Sequence, residues 1–177
     1  MGTIRDEIRQ TKPFASAAEE AVVTLLGTAD RVRTALSRVV ETHGITLQQY
    51  NVLRILRGAG DEGLPTLDIA SRMIEHSPGI TRLLDRHEAR KLVRRVRCPE
   101  DRRQVLCHAT QTARRLLAGL DAPVADAGRR AFAPLDPSRT AGLIRLLDQL
   151  RASAASSPTP DTSTTREPRK RKKETQR

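Results

Sequence analysis

Tryptophan is absent from this sequence, and the only other aromatic residues are one Tyr and two Phe. A core of stacked rings is excluded. Leu, Val, Ile and Ala must fill the interior, which favours helices packed on helices. No apolar run approaches the roughly 20 residues that a membrane-crossing helix needs. The first residues, MGTIRDEIRQTKPF, carry charges where a secretory signal has an apolar segment, so a cytoplasmic chain without a membrane partner is expected. Only two cysteines occur, Cys98 and Cys107, and in a reducing compartment they are not expected to form a structural disulfide. The four histidines are scattered, with no HxxxH or Cys/His spacing to hold a metal. No Ser–His–Asp set, glycine-rich phosphate loop or paired-carboxylate site stands out. Neither an enzyme nor a cofactor-dependent protein is expected.

Positive charge, by contrast, is abundant. Lys and Arg number 32 against 21 Asp and Glu, a formal charge of +11. The final stretch REPRKRKKETQR holds seven basic and two acidic residues, so more than half of the excess lies on the body of the chain. This balance suggests an anionic partner, most often nucleic acid. The Arg- and Ala-rich composition suits a bacterial genome of high GC content.

Along the chain, Val22, Leu25, Leu26, Ala29, Val32, Ala35, Leu36, Val39 and Val40 recur at steps of three and four. They predict one long amphipathic helix from Ala18 to His43, stopped near Gly44. Thr46 opens a second helix with Leu47, Tyr50, Leu53 and Leu56 on one face, ended by Gly58 and Gly60. Thr66 is placed to cap a short helix. Ser77-Pro78 starts another, with Ile80, Leu83 and Leu84 inward and Thr81, Arg82, Asp85 and Arg86 outward. The segment LVRRVRC-PEDRR-QVLCHAT reads as a β-hairpin with a basic tip. A helical stretch from Gln111 to Phe132 follows, with Pro123 expected to kink or split it. A last helix spans Pro137 to about Leu150. Beyond Arg151 the Ser, Thr, Pro and charge-rich sequence predicts a disordered tail. Its RKRKK cluster would add phosphate affinity without sequence information.

Helix, turn, helix and a hairpin with arginines at its tip make a winged helix-turn-helix. Such a helix fits the major groove, and a basic hairpin can reach the minor groove. At this point the sequence resembles the MarR (multiple antibiotic resistance regulator) family of bacterial transcription regulators. The likeness runs from about Val22 to Leu150 and is most specific in LPTLDIASRMIEHSPGITRLLDRHEARKLVRRVRCPEDRRQVLCHAT. PGITRLLDR resembles the recognition helix and PEDRR the wing signature. The resemblance implies that Asp101 braces Arg103 as Arg103 enters the minor groove. The candidate DNA contacts are Ser77, Pro78, Gly79, Thr81, Arg82 and Arg86 on the helix, and Arg95, Asp101, Arg102 and Arg103 on the wing.

The fold expected is mainly α with a small antiparallel β-wing. Residues 46–110 would be the DNA-binding domain and 18–45 with 111–151 a helical dimerisation region. Residues 1–17 would form an N-terminal extension and 152–177 a basic tail. The resemblance further implies a homodimer on double-stranded DNA with an inverted-repeat operator. It also implies a small aromatic or phenolic effector bound between the dimer helices and the DNA-binding lobe, with Leu36, His43, Tyr50 and Leu53 as candidate lining residues. Three positions depart from the family pattern: His87 and Ala113 replace a usual Leu and Gly, and Lys91 stands where Gly serves a left-handed helix cap. A Lys there costs on the order of 1 kcal/mol. His87 is expected to pack its ring on Leu83 and Leu84. Two other readings stay open: a nucleoid-like protein binding by charge alone, and a regulator sensing oxidants through Cys98 or Cys107.

Overall fold

The computed structural model describes residues 2–75, 79–98, 101 and 104–156. A single turn, α1 (Ile4–Glu7), precedes the long helix α2 (Ala17–Glu41). Ser16 starts α2 by accepting the Glu19 amide at 3.1 Å. α3 (Leu47–Gly58) begins with a reciprocal cap: Thr46 accepts the Glu-side amide of Gln49 at 3.2 Å, and the Gln49 side chain accepts the Thr46 amide at 2.9 Å. β1 (Leu64–Pro65), α4 (Thr66–Ser71), α5 (Ile80–Ala89), β2 (Val93–Arg97), β3 (Val105–Ala109) and α6 (Gln111–Phe132) follow.

The expected hairpin is present and gains a third strand. The order is β1-β3-β2, all antiparallel, with Leu64 opposite Cys107 and Arg95 also opposite Cys107. Pro65 lies on an edge strand, where its missing N–H removes no ladder bond. This short strand changes the start of α4. Backbone extended for pairing runs through Pro65, which takes the N-cap position without a side-chain cap, so Thr66 is the first helical residue and not the cap.

The core sits between α3, α4, α5, the sheet and the base of α2 and α6. Leu53, Leu56, Ile69, Leu84, Cys107, Leu117 and Leu120 are fully buried. Thr110 joins sheet to helix. Its hydroxyl accepts the Ala113 amide at 3.2 Å, capping α6, and donates to the Lys91 carbonyl at 2.8 Å.

Pro123 lies inside α6, which runs unbroken through it. Packing explains the difference from expectation. Ala113, Leu117, Leu120 and Ala127 are buried and Val124 packs on the core, so the apolar stripe continues on both sides of the proline. Burial of that stripe outweighs the roughly 3 kcal/mol that an interior proline costs.

A second compact unit begins at Leu135. Its helix α7 (Pro137–Ser156) extends past the expected end near Leu150. Asp136 starts it by accepting the Arg139 amide at 2.8 Å.

Candidate nucleic-acid interface and adjoining cavity

α5 is defined by its two ends. Gly79 occupies the N-cap at φ +145°, a backbone region that side chains disfavour. At the other end Lys91 takes φ +58°. The Lys91 amide donates to Glu88 O at 2.8 Å and the Leu92 amide to His87 O at 2.9 Å, the paired bonds of a Schellman cap. Lys91 therefore performs the turn usually given to glycine, and buried Leu92 anchors it.

The two faces of α5 differ sharply. Leu83, Leu84 and His87 are buried; Thr81, Arg82, Asp85 and Arg86 are exposed. Arg95 lies differently from its fellow candidates. It is half-buried on β2, and its guanidinium reaches Asp85 at 2.7 Å, Glu88 at 3.3 Å and the Thr81 carbonyl at 3.3 Å. It ties the wing to the outer edge of α5, so its charge is already engaged. Arg94, its outward neighbour on β2, is exposed and escaped notice in the sequence.

In the wing, the Cys98 amide donates to Gln104 O at 3.0 Å and the Gln104 amide to Asp101 O at 2.9 Å. The Asp101 carboxylate accepts the Gln104 side-chain amide at 3.2 Å. Ser77, Pro78, Arg102 and Arg103 lie outside the described residues, and with them the expected Asp101–Arg103 brace.

A cavity of about 360 Å³ opens between α2, α3 and α5. Leu36 and Tyr50 line it, as do Leu47, Asn51 and Arg54 of α3, Arg33 of α2, Met73 and Glu75 after α4, and Leu83 and Arg86 of α5. Two candidate lining residues are elsewhere. Leu53 is fully buried in the core, because the cavity takes α3 positions 47, 50, 51 and 54 while 49, 52, 53 and 56 turn inward. His43 lies in the turn after α2, where its Nδ1 is 3.0 Å from the Thr42 hydroxyl and its ring approaches Gly119. Burial raises the Tyr50 phenol above its ordinary value, with Arg54, 5.8 Å from the ring centre, working against it. Across the mouth, Glu75 joins Arg33 at 3.5 Å and Gln48 at 3.3 Å.

His87 is fully buried, and neither ring nitrogen has a hydrogen-bond partner among the described residues. Burial lowers its pKa to about 4; the nearby Gln49 backbone opposes the shift and Arg90 reinforces it. Cys107 is also buried. Burial pushes its thiol up, against the influence of Thr66 and Arg95, so it is held as a poor nucleophile. Cys98 is half-buried.

An exposed basic helix preceded by a short helix and flanked by a three-stranded wing defines a winged helix-turn-helix protein. The sequence pattern of the MarR family matches residues 43–104. A MarR transcription factor from Planctomyces limnophilus is 38% identical, covers 77% of this chain and 99% of its own, and superposes with a TM-score of 0.60. The chain belongs to the MarR family and is a transcriptional regulator of that family. The HTH-type transcriptional regulator TtmR of Methylorubrum extorquens (strain PA1) is 35% identical over 126 residues, 70% of this chain; the match spans 64% of TtmR's length. CouR from Rhodococcus jostii RHA1, solved bound to p-coumaroyl-CoA, is 27% identical, with a TM-score of 0.66 over 82% of this chain and 99% of that one. Among the described residues no helix is long and apolar enough to cross a membrane.

Proposed function

We propose that this chain acts as a cytoplasmic homodimer that reads an inverted-repeat operator on double-stranded DNA and represses transcription until a small effector releases it. The outward face of α5 carries this reading. Thr81, Arg82 and Arg86 are solvent-facing on a helix whose other side is locked into the core. Thr81 and Arg82 lie in its first turn, the part that reaches base edges when a helix enters the major groove. Asp101 and Arg103 of the wing would add a minor-groove contact.

Residues 46–110 form the DNA-binding domain in this proposal, and 18–45 with 111–151 the dimerisation region. Two features support it. Val22, Leu25 and Leu26 are large, apolar and exposed on α2, and so are Ile144, Leu146 and Leu150 on α7. Isolated monomers rarely leave such stripes uncovered. The effector would occupy the cavity lined by Leu36 and Tyr50 and change the spacing of the two recognition helices. The relative CouR, with p-coumaroyl-CoA bound, supports a small-molecule role for this part of the fold.

Gel shifts on genomic fragments test the proposal. A preferred site is expected, and Arg82→Ala should weaken binding to it by about tenfold or more, a loss of roughly 1–3 kcal/mol. Arg103→Ala should weaken it while leaving the dimer intact. Affinity that follows salt alone, with no preferred site, would instead support the charge-driven nucleoid-like reading.

A further inference from the structure

We infer that Arg86 is shared between two anions, a backbone phosphate of the operator and the acidic group of the effector, so that an anionic effector releases DNA by capturing this one guanidinium. The inference rests on the effector cavity proposed above.

Arg86 sits on a seam of α5. It is four residues from Arg82, and side chains at that spacing share a helix face, here the exposed one. It is three residues from Leu83, and these two are the α5 residues that line the cavity. One side chain thus borders both solvent-facing groove and cavity.

It is also uncommitted. Arg95 is held by Asp85 and Glu88, and Arg33 by Asp30 and Glu75. Among the described residues the Arg86 guanidinium has no ion pair or hydrogen bond. A free guanidinium on a flexible stem can turn to either neighbour.

The cavity asks for an anion. Arg33, Arg54 and Arg86 line it against a single carboxylate, Glu75, which already serves Arg33 and Gln48. The remaining surface is largely apolar, from Leu36, Leu47 and Met73, with the Tyr50 ring beside it. A ligand with a flat apolar body and one carboxylate matches this lining, and a volume near 360 Å³ lies within the range of small-molecule sites. A carboxylate accepts both arms of a guanidinium, as a phosphate does. Ligand and operator therefore weaken each other reciprocally.

The test uses the full chain with 2-naphthoate and other flat aromatic carboxylates as probes, each beside its uncharged amide. Calorimetry measures ligand binding without DNA; gel shift measures operator affinity without ligand. Wild type should prefer the carboxylates over the amides by roughly tenfold. Arg86→Gln should abolish that preference and also weaken operator binding, lowering the salt slope by about one. Arg82→Gln should weaken operator binding and leave the carboxylate preference intact, since Arg82 does not line the cavity. Arg86→Lys should restore most of the operator affinity and part of the preference.

If carboxylates bind and Arg86→Gln keeps the preference, or loses it with operator affinity unchanged, the shared role is wrong and the effector cavity stands. If no carboxylate and no amide binds, both fall.

Discussion

α3 and α2 use their apolar residues in opposite ways. α3 has 12 residues and buries five of them: Gln49, Tyr50, Val52, Leu53 and Leu56. α2 has 25 and buries only Val40, leaving Val22, Leu25 and Leu26 in solvent. The lobe around α3 closes its core within one chain. The first half of α2 has a stripe with nothing to cover it in that compact unit. The difference separates what holds the reading head together from what is proposed to pair two of them.

Variants on the two sides should therefore fail differently. Leu53→Ala should destabilise the lobe by about 3 kcal/mol, within the usual range for deleting a fully buried leucine. Denaturant melting checks it, and a midpoint equal to wild type would mean that the core lies elsewhere. Next in size is acid. His87 has a folded pKa near 4 against an ordinary 6.5, so it stays neutral in the fold while the unfolded chain takes up a proton. Its contribution is fully present above pH 6.5 and is lost as pH falls toward 4, about 3 kcal/mol in all. His87→Leu should flatten that profile and raise the midpoint at neutral pH, because two unpaired buried nitrogens disappear. An unchanged acid slope in the variant would assign the loss to other groups.

On the α2 side, Leu26→Glu should leave helix content intact, convert the dimer to monomer by light scattering and weaken operator binding about a hundredfold, since one half-site must then be held alone. A dimer that survives would move the interface off this stripe. The smallest effect belongs to the helix end. Lys91→Gly should stabilise the lobe by about 1 kcal/mol, by relieving the left-handed lysine; a loss of stability would show that the Lys side chain contributes more than its backbone costs.

Much of this architecture is legible in the residues. The three-and-four spacing of α2 and α3 and the alternation flanking PEDRR mark helices and hairpin because each period reflects one buried face. Lys91 at a glycine position signals its left-handed backbone. Other features depend on partners distant in sequence. β1 is two residues long with a proline, and only its pairing with Leu106 and Cys107 makes it a strand. Pro123 reads as a break, yet the stripe through Leu120, Val124 and Ala127 carries α6 across it. Arg95 looks like any wing arginine until β2 lies beside Asp85 and Glu88. In the cavity, Leu36 and Tyr50 are recognisable as apolar lining, but Arg33, Glu75 and Arg86 meet only after α2, α3 and α5 pack together.

The most direct test of the account is selection of bound DNA from a random fragment library by the full chain at physiological salt. The account predicts enrichment of an inverted repeat whose half-sites are about one helical turn, roughly 10 base pairs, apart. Recovery of fragments with no common sequence, or of a single unpaired half-site, would contradict it.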